Sequence, residues 1–535
     1  MGSPTVERTA DDVGTTTLLI GNVESQDFRR EIGHISRHSS IYFAGTVFAL
    51  AAGYPFKIYL ARVLGAEALG LYALGMTIVG FFAIFNDFGL AQAAVRFVSA
   101  YVASGKIELL RNFLIRGMAL LLLSNLCFGM IVWLAGPWIA VHLYHAPALI
   151  PCFGGFACIM LFGAMNAFLG QALSGYKDVA RRVLITTFIG GPLTIILTIG
   201  FITAGLGLPG YIFAQAVGAF SVGIFLLIAV WRLTPRSARS VWQKVPVLEK
   251  EVISFSTTAL GLCVVEYLIA QADKVFIGFY LHAREVGVYA IVATLIAFVP
   301  IILDSVNQIF SPGIAHLHAR GEIALLGRMY QTLTKWILGL TIPLAGVMII
   351  FASPLMRIFG HDFEVGWPVL IIGTVGQFVN CGVGSVGYLL LMSGNQGRLM
   401  KIQSIMAAVT ILLSICLIPR WGLIGAALAS ATSNVGANLL CLLEVRRRLG
   451  VTPYNRTYLR LTLPMVMTVA TLSLVHRTLA AFHPDWIVIA VGLVLGYLVF
   501  LATAATFGLD ADDKVIVSAV WSRLRQVFHF SGANA

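Results

Sequence analysis

ADKVFIGFYLHAREVGVYA, residues 272–290, sets the pair Asp273-Lys274 inside an apolar run. It then passes through a short polar turn and ends on Gly287-Val288-Tyr289-Ala290. The segment LGAEALGLYA, residues 64–73, matches residues 281–290 at Leu, Ala, Gly, Tyr and Ala, five positions of ten, at an offset of 217. The same offset carries Lys57 onto Lys274 and Asp87 onto Asp304. A chain that repeats an intramembrane lysine and an acid at one spacing was built by duplication, and each copy is expected to form one half of the fold.

Composition sets the solvent. The 535 residues are 58% hydrophobic and 11% charged, with mean hydropathy +0.88. Soluble domains carry about a quarter charged residues, so this is an all-α polytopic membrane protein. The seven cysteines (127, 152, 158, 263, 381, 416 and 441) are scattered through apolar runs with no CxxC pair, which argues against a metal or disulfide framework. The net charge of +12 is explained by topology rather than by nucleic acid. Of 36 Lys and Arg residues, 29 fall in the N-terminus, one alternating set of loops and the C-terminus. That is the positive-inside pattern, with both termini cytoplasmic. The first 38 residues are polar and mixed in charge, unlike a cleavable signal peptide.

A spanning helix needs about 20 apolar residues. About 14 candidates run over 40–62, 68–90, 113–135, 148–170, 182–204, 209–231, 254–280, 285–309, 333–353, 366–392, 399–419, 422–444, 458–476 and 485–507. Residues 91–104, with Arg96, Tyr101 and Lys106 at a polar edge, and residues 308–320 are expected to lie at the interface after helices 2 and 8. Val517, Val520, Trp521, Leu524 and Phe528 make an apolar stripe near the C-terminus, as in membrane-surface helices. Ser174-Gly175 parallels Ser393-Gly394, and Gly207–Gly210 parallels Gly422–Gly425, so each copy holds six helices. Six is even, so the copies share orientation, an arrangement found in transporters with the substrate path between halves. The expected organisation is a cytoplasmic segment (1–38), an N-lobe (39–231), a basic cytoplasmic linker (232–253), a C-lobe (254–447), two accessory helices (448–509) and a cytoplasmic amphipathic tail (510–535).

A charge at mid-bilayer costs roughly 2.5–3.5 kcal/mol on insertion scales, so intramembrane charges need a cavity or partners. Lys57 and Lys274, one per copy, either line a shared cavity and attract an anionic substrate or snorkel to the outer interface; Arg62 lies near the same outer mouth. Glu266 and Asp273, seven apart, share a helical face. They either bind and couple a proton or Na⁺, or neutralise a neighbouring lysine. Asp87 with Arg96 forms either a cytoplasmic gate or a helix cap, and Asp304 is its counterpart. Asn166 and Gln171, Gln377 and Asn380, and Asn434 and Asn438 each mark one face. They suit interhelical hydrogen bonds or a sugar-binding cavity equally.

DKVFIGFYLHAREVGVYA, LGAEALGLYALG, and Asp87-Phe88-Gly89-Leu90 followed by Arg96-Phe97-Val98 resemble the polysaccharide-biosynthesis exporters. These are the O-antigen (Wzx-type) and exopolysaccharide lipid-linked-oligosaccharide flippases of the multidrug/oligosaccharidyl-lipid/polysaccharide exporter superfamily. The resemblance spans roughly residues 35–450. It implies two six-helix pseudo-symmetric lobes that carry an undecaprenyl-diphosphate-linked glycan across the bacterial inner membrane by alternating access. It implies polysaccharide polymerase or assembly proteins as partners, membrane lipids around the tail, and no cofactor. Lys57 and Lys274 would then meet the diphosphate. Fourteen helices are also similar to the peptidoglycan lipid II flippases, in which the extra pair helps form a lipid-tail groove. The few arginines in helices 1 and 2 depart from that type.

Three other classes compete. A drug/cation antiporter of the same superfamily suits an acidic cavity better than these lysines. A glycosyltransferase generally needs acids on a substantial outer loop, and the outer loops here are short; GxSxG, P-loop and HExxH motifs are absent. A non-transporting subunit of a secretion complex fits the long N-terminus and amphipathic tail.

Overall fold

The computed structural model describes residues 11–235, 252–253, 256, 260, 267, 271–479, 482–507, 510 and 513. Among these, every regular element is helical. In chain order they are α1 (Asp11–Asp87), α2 (Leu90–Ala103), α3 (Ile107–His142), α4 (Phe153–Gly175), α5 (Val179–Val183), α6 (Gly190–Thr203) and α7 (Gly207–Leu233). After the helical segment 271–280 come α8 (Ala283–Ile296), α9 (Ile301–Ala319), α10 (Ile323–Ile350), α11 (Ala352–Phe359), α12 (Trp367–Val383) and α13 (Val386–Met392). The long α14 (Gln396–Leu449), α15 (Thr462–Leu479) and α16 (Asp485–Phe507) complete the series.

Ten described helices are long and apolar enough to cross a membrane, or eleven with the bent pair Ala283–Ile296 and Ile301–Gln308. Two of them, Ala44–Asn86 and Gln396–Leu449, have 43 and 54 residues, roughly twice the 20 that one crossing needs. Each is broken at a glycine in a conformation closed to other residues: Gly65 (φ 79°, ψ 174°) and Gly422 (φ 55°, ψ −132°). With two crossings in each, the described residues supply counterparts for thirteen of the fourteen expected spans. Most of the remaining one, 254–280, lies outside the described residues, as do most of the linker and the C-terminal stripe. Large apolar side chains on α3, α15 and α16 face outward, with Leu123, Leu474 and Leu498 all more than half exposed. That surface suits hydrocarbon. The chain is a multi-pass membrane protein.

The duplication persists turn by turn. At Gly105 (φ 66°) and Gly321 (φ 73°) the two copies make the same backbone bonds, Lys106 N to Tyr101 O and Glu322 N to Leu317 O, both 3.0 Å. Gly207 and Gly422 share positive φ, at 51° and 55°. After α4 and α13 the left-handed residues are Lys177 (φ 62°) and Gly394 (φ 79°), so the backbone register there is again 217, two residues away from the Ser-Gly alignment.

Three expectations change. Residues 91–104 form α2, but Tyr101 is 6% exposed and packs with Phe97, Phe113 and Phe168 rather than lying at a polar edge. Helix 8 breaks at 297–300, where Pro300 cannot donate a helical hydrogen bond, and α9 then runs unbroken to Ala319. Asp304 therefore sits in the first turn after its break, whereas Asp87 ends α1 before the left-handed Phe88 and Gly89. The shared offset of these two acids is not a shared structural position.

The chain divides into two compact units. One comprises residues 1–56, 83–130 and 155–260; its core joins α2 to Phe113, Phe168, Leu173 and Leu226. Asn86, fully buried, there bonds Asn125 and Ser124, so its amide is satisfied. The other comprises residues 57–82, 131–154 and 261–535. One of its cores sets Tyr330 among Leu326, Val383, Leu389 and Val445, with the phenol donating to the Val383 carbonyl at 2.7 Å where α12 ends. A second core, Phe351, Leu472, Val475 and Val488, ties α15 and α16 to α10.

Within that second unit the two repeat motifs meet. A Cβ on Gly70 would lie 1.6 Å from the Ala283 carbonyl oxygen; a Cβ on Gly287 would lie 1.9 Å from that of Ala66. Gly70 pairs with Gly287, and Ala66 with Ala283, at the 217 offset, so the crossing is reciprocal. Only glycine permits so close an approach of two backbones.

Candidate functional site

The segment 271–280, α8 and α14 converge on Asp273. Its Oδ2 accepts from the Tyr289 hydroxyl at 2.6 Å and the Ser430 hydroxyl at 3.3 Å, and its Oδ1 accepts from the Lys274 N–H at 2.9 Å. Tyr289 is 5% exposed. The carboxylate faces a cavity of about 230 Å³ that also reaches Gln377 and Asn434. Gly373 and Gly376 of α12 make that convergence possible, since a Cβ there would meet Ile296 at 2.0 Å and Ala431 at 3.0 Å. A carboxylate ringed by hydroxyls and amides at an internal cavity can exchange a proton or hold a small cation. The two copies differ here: Tyr289 repeats Tyr72, but the counterpart of Asp273 is Phe56.

Lys274 turns away from that cavity, as its place one residue on requires, and its ammonium donates to the neutral Gln271 amide at 2.8 Å. Lys57 is exposed and lies in the same compact unit as Lys274. Arg62 instead serves the backbone, its Nε donating to the Ile358 carbonyl at 2.8 Å and capping the last turn of α11.

The remaining candidates scatter. Arg96 is exposed with its guanidinium 5.3 Å from the centre of the Phe97 ring. Asp304 is exposed at the start of α9, where a carboxylate complements the helix dipole. The Asp87 side chain and all of Glu266 lie outside the described residues. The paired amides do share faces: Asn380 donates to Gln377 at 3.0 Å and Asn438 to Asn434 at 2.8 Å. Asn166 donates to the Ala219 carbonyl, and Gln171 accepts from Arg182.

Two groups escaped sequence reasoning. Tyr289 and Ser430 complete the Asp273 site, and the repeated tyrosine was the available signal for the first of them. The second is an ion cluster. Lys335, 6% exposed, binds Asp510 at 3.1 Å and Asp513 at 2.5 Å. Asp513 also accepts from the Trp336 indole at 2.9 Å, and Arg460 pairs with Asp510.

These helices and their internal duplication define a polytopic membrane protein built on a repeated helical motif. The fold is similar to the lipid II flippase MurJ in an inward-closed conformation, with TM-score 0.61, 16% identity, and coverage of 86% of this chain and 98% of that one. It is also similar to an inward-facing multidrug resistance MATE family transporter of the MOP superfamily (TM-score 0.62, 15% identity, coverage 76% and 94%). By sequence, the chain is 23% identical over 407 residues to the "Probable low-salt glycan biosynthesis flippase Agl15" of Haloferax volcanii, covering 75% of this chain and 81% of that protein. Residues 35–318 match the family described as "Polysaccharide biosynthesis protein", and the chain belongs to that family.

Proposed function

We propose that this chain is a flippase for a lipid-linked oligosaccharide, moving an undecaprenyl-diphosphate-linked O-antigen or exopolysaccharide repeat unit across the bacterial inner membrane by alternating access. The observation that carries this reading is the recurrence of Lys57 and Lys274 at one offset, both in one compact unit. Cations in a membrane gain from an anion that binds them, and a diphosphate supplies one. The diphosphate and glycan cannot cross hydrocarbon unaided, while the polyprenyl tail stays in lipid. Both termini face the cytoplasm, and the lobes are residues 39–231 and 254–447. Asp273, with Tyr289 and Ser430, takes up and releases the coupling proton or Na⁺; Glu266, Asp87, Arg96 and Asp304 are further coupling or gating candidates, and Arg62 lies at the outer mouth. A polysaccharide polymerase or assembly protein receives the product.

Inverted membrane vesicles test this proposal. Vesicles containing the chain should deliver undecaprenyl-diphosphate oligosaccharide to the lumenal leaflet well above vesicles lacking it. Delivery of lipid II alone would favour the peptidoglycan reading. Extrusion of an organic cation with no glycan delivery would favour the antiporter.

A further inference from the structure

A second cavity, of about 390 Å³, adjoins the Asp273 pocket and shares Gln377, Ser430 and Asn434 with it. It lies between α12–α13 and the two arms of α14, and among the described residues its lining carries no charged one. Its polar groups are amides and hydroxyls. Asn438 Nδ2 bonds Asn434, and Gln377 Oε1 accepts from Asn380. This leaves Asn434 Nδ2, Asn438 Oδ1, Gln377 Nε2 and both ends of Gln403 without partners among the described residues. Ser433, 5% exposed, lines the same cavity, and its buried hydroxyl meets no hydrogen-bond partner. An unpaired buried hydroxyl is costly, and the half-buried Gln377, Asn434 and Asn438 and the exposed Gln403 set further amides beside Ser433, so the lining suits a ligand that supplies hydrogen bonds.

We propose that this cavity is a subsite for a neutral sugar ring of the transported glycan, a role that rests on the flippase reading above. A sugar hydroxyl both donates and accepts, as do the amides and hydroxyls here. The other parts of such a substrate fit poorly. A diphosphate would find no cation in the lining, and a polyprenyl tail would strand the amides without partners. Among the described residues, a coupling cation would find its only neighbouring carboxylate in the adjoining pocket. The volume falls within the range of small-molecule sites, about 300–1,000 Å³. The sugar thus docks beside Asp273, where its arrival reaches the coupling group through Ser430 and Asn434.

The test uses the full chain in lipid nanodiscs and two separate probes. The first is a panel of methyl glycosides of glucose, galactose and N-acetylglucosamine; the second is undecaprenyl diphosphate bearing no sugar. At least one glycoside should bind saturably to wild type and at least tenfold more weakly to Gln403→Leu and Ser433→Val. Undecaprenyl diphosphate should bind both variants as it binds wild type. Gln403 is exposed, so its variant decides the matter if Ser433→Val fails to fold. No glycoside binding by wild type, or undiminished binding by Gln403→Leu, overturns the subsite. Glycoside binding with no affinity for undecaprenyl diphosphate would sustain the sugar subsite while defeating the diphosphate reading.

Discussion

Adding one methyl group at the crossing of the two repeat motifs should be costly, and adding two should cost little more. In Gly70→Ala the new Cβ would sit 1.6 Å from the Ala283 carbonyl oxygen, whereas ordinary contact begins at 3.4 Å. The obstacle is backbone, so no side-chain rotation relieves it, and the helices must part by roughly 2 Å. Overpacking of this kind typically costs about 1–3 kcal/mol, and a backbone obstacle puts Gly70→Ala at the upper end. Gly287→Ala meets the reciprocal obstacle at 1.9 Å and should cost about the same. Once the first substitution has parted the helices, the second methyl enters space already open. The double variant should therefore resemble either single one instead of their sum. Unfolding in mixed micelles, titrated with denaturing detergent, measures all four proteins. Single variants within about 0.5 kcal/mol of wild type, or strictly additive losses, would refute a reciprocal glycine contact.

Replacing Lys335 by Met should destabilise the protein by about 3–5 kcal/mol, because it leaves the buried Asp513 carboxylate without its cation; combining it with Asp513→Asn should restore a large part, as the same unfolding titration would report. The cluster should also weaken in acid. Burial alone would raise the Asp510 pKa, but Lys335 and Arg460 outweigh it and hold the group below its usual value. Its contribution is therefore present above the unfolded carboxylate pKa of about 3.9 and is lost as pH falls through the lower folded value. Asp510→Asn should flatten that acid limb in a pH series of unfolding midpoints. Asp273→Asn should leave folding intact yet cut gradient-driven glycan delivery at least tenfold; wild-type rates under imposed proton and Na⁺ gradients would remove Asp273 from the coupling role.

What the sequence revealed followed physical range. Helices announced themselves because hydrophobicity is local, and the duplication was readable because Lys57, Gly70 and Tyr72 recur at one offset. Helix breaks were harder. Gly65 and Gly422 end spans through backbone freedom that composition does not display, and Pro300 moved one break ahead of its counterpart in the other copy. That shift spoiled the Asp87–Asp304 equivalence. Partners distant in sequence were least legible: Ser430 reaches Asp273 across 157 residues, and Lys335 finds Asp513 across 178. Nothing local to Ser430 or Asp513 distinguishes either from an ordinary helix residue. Asp273, by contrast, stood out because a charge in an apolar run demands an explanation.

The central claim is that Lys57 and Lys274 together hold the substrate's diphosphate. Its most direct test is the delivery of undecaprenyl-diphosphate oligosaccharide into inverted vesicles by wild type, Lys57→Ala, Lys274→Ala and the two Lys→Arg variants, at matched protein levels. The account predicts loss of delivery in both alanine variants and substantial retention in both arginine variants, since arginine keeps the charge that a phosphate needs. Wild-type delivery by either alanine variant would contradict it.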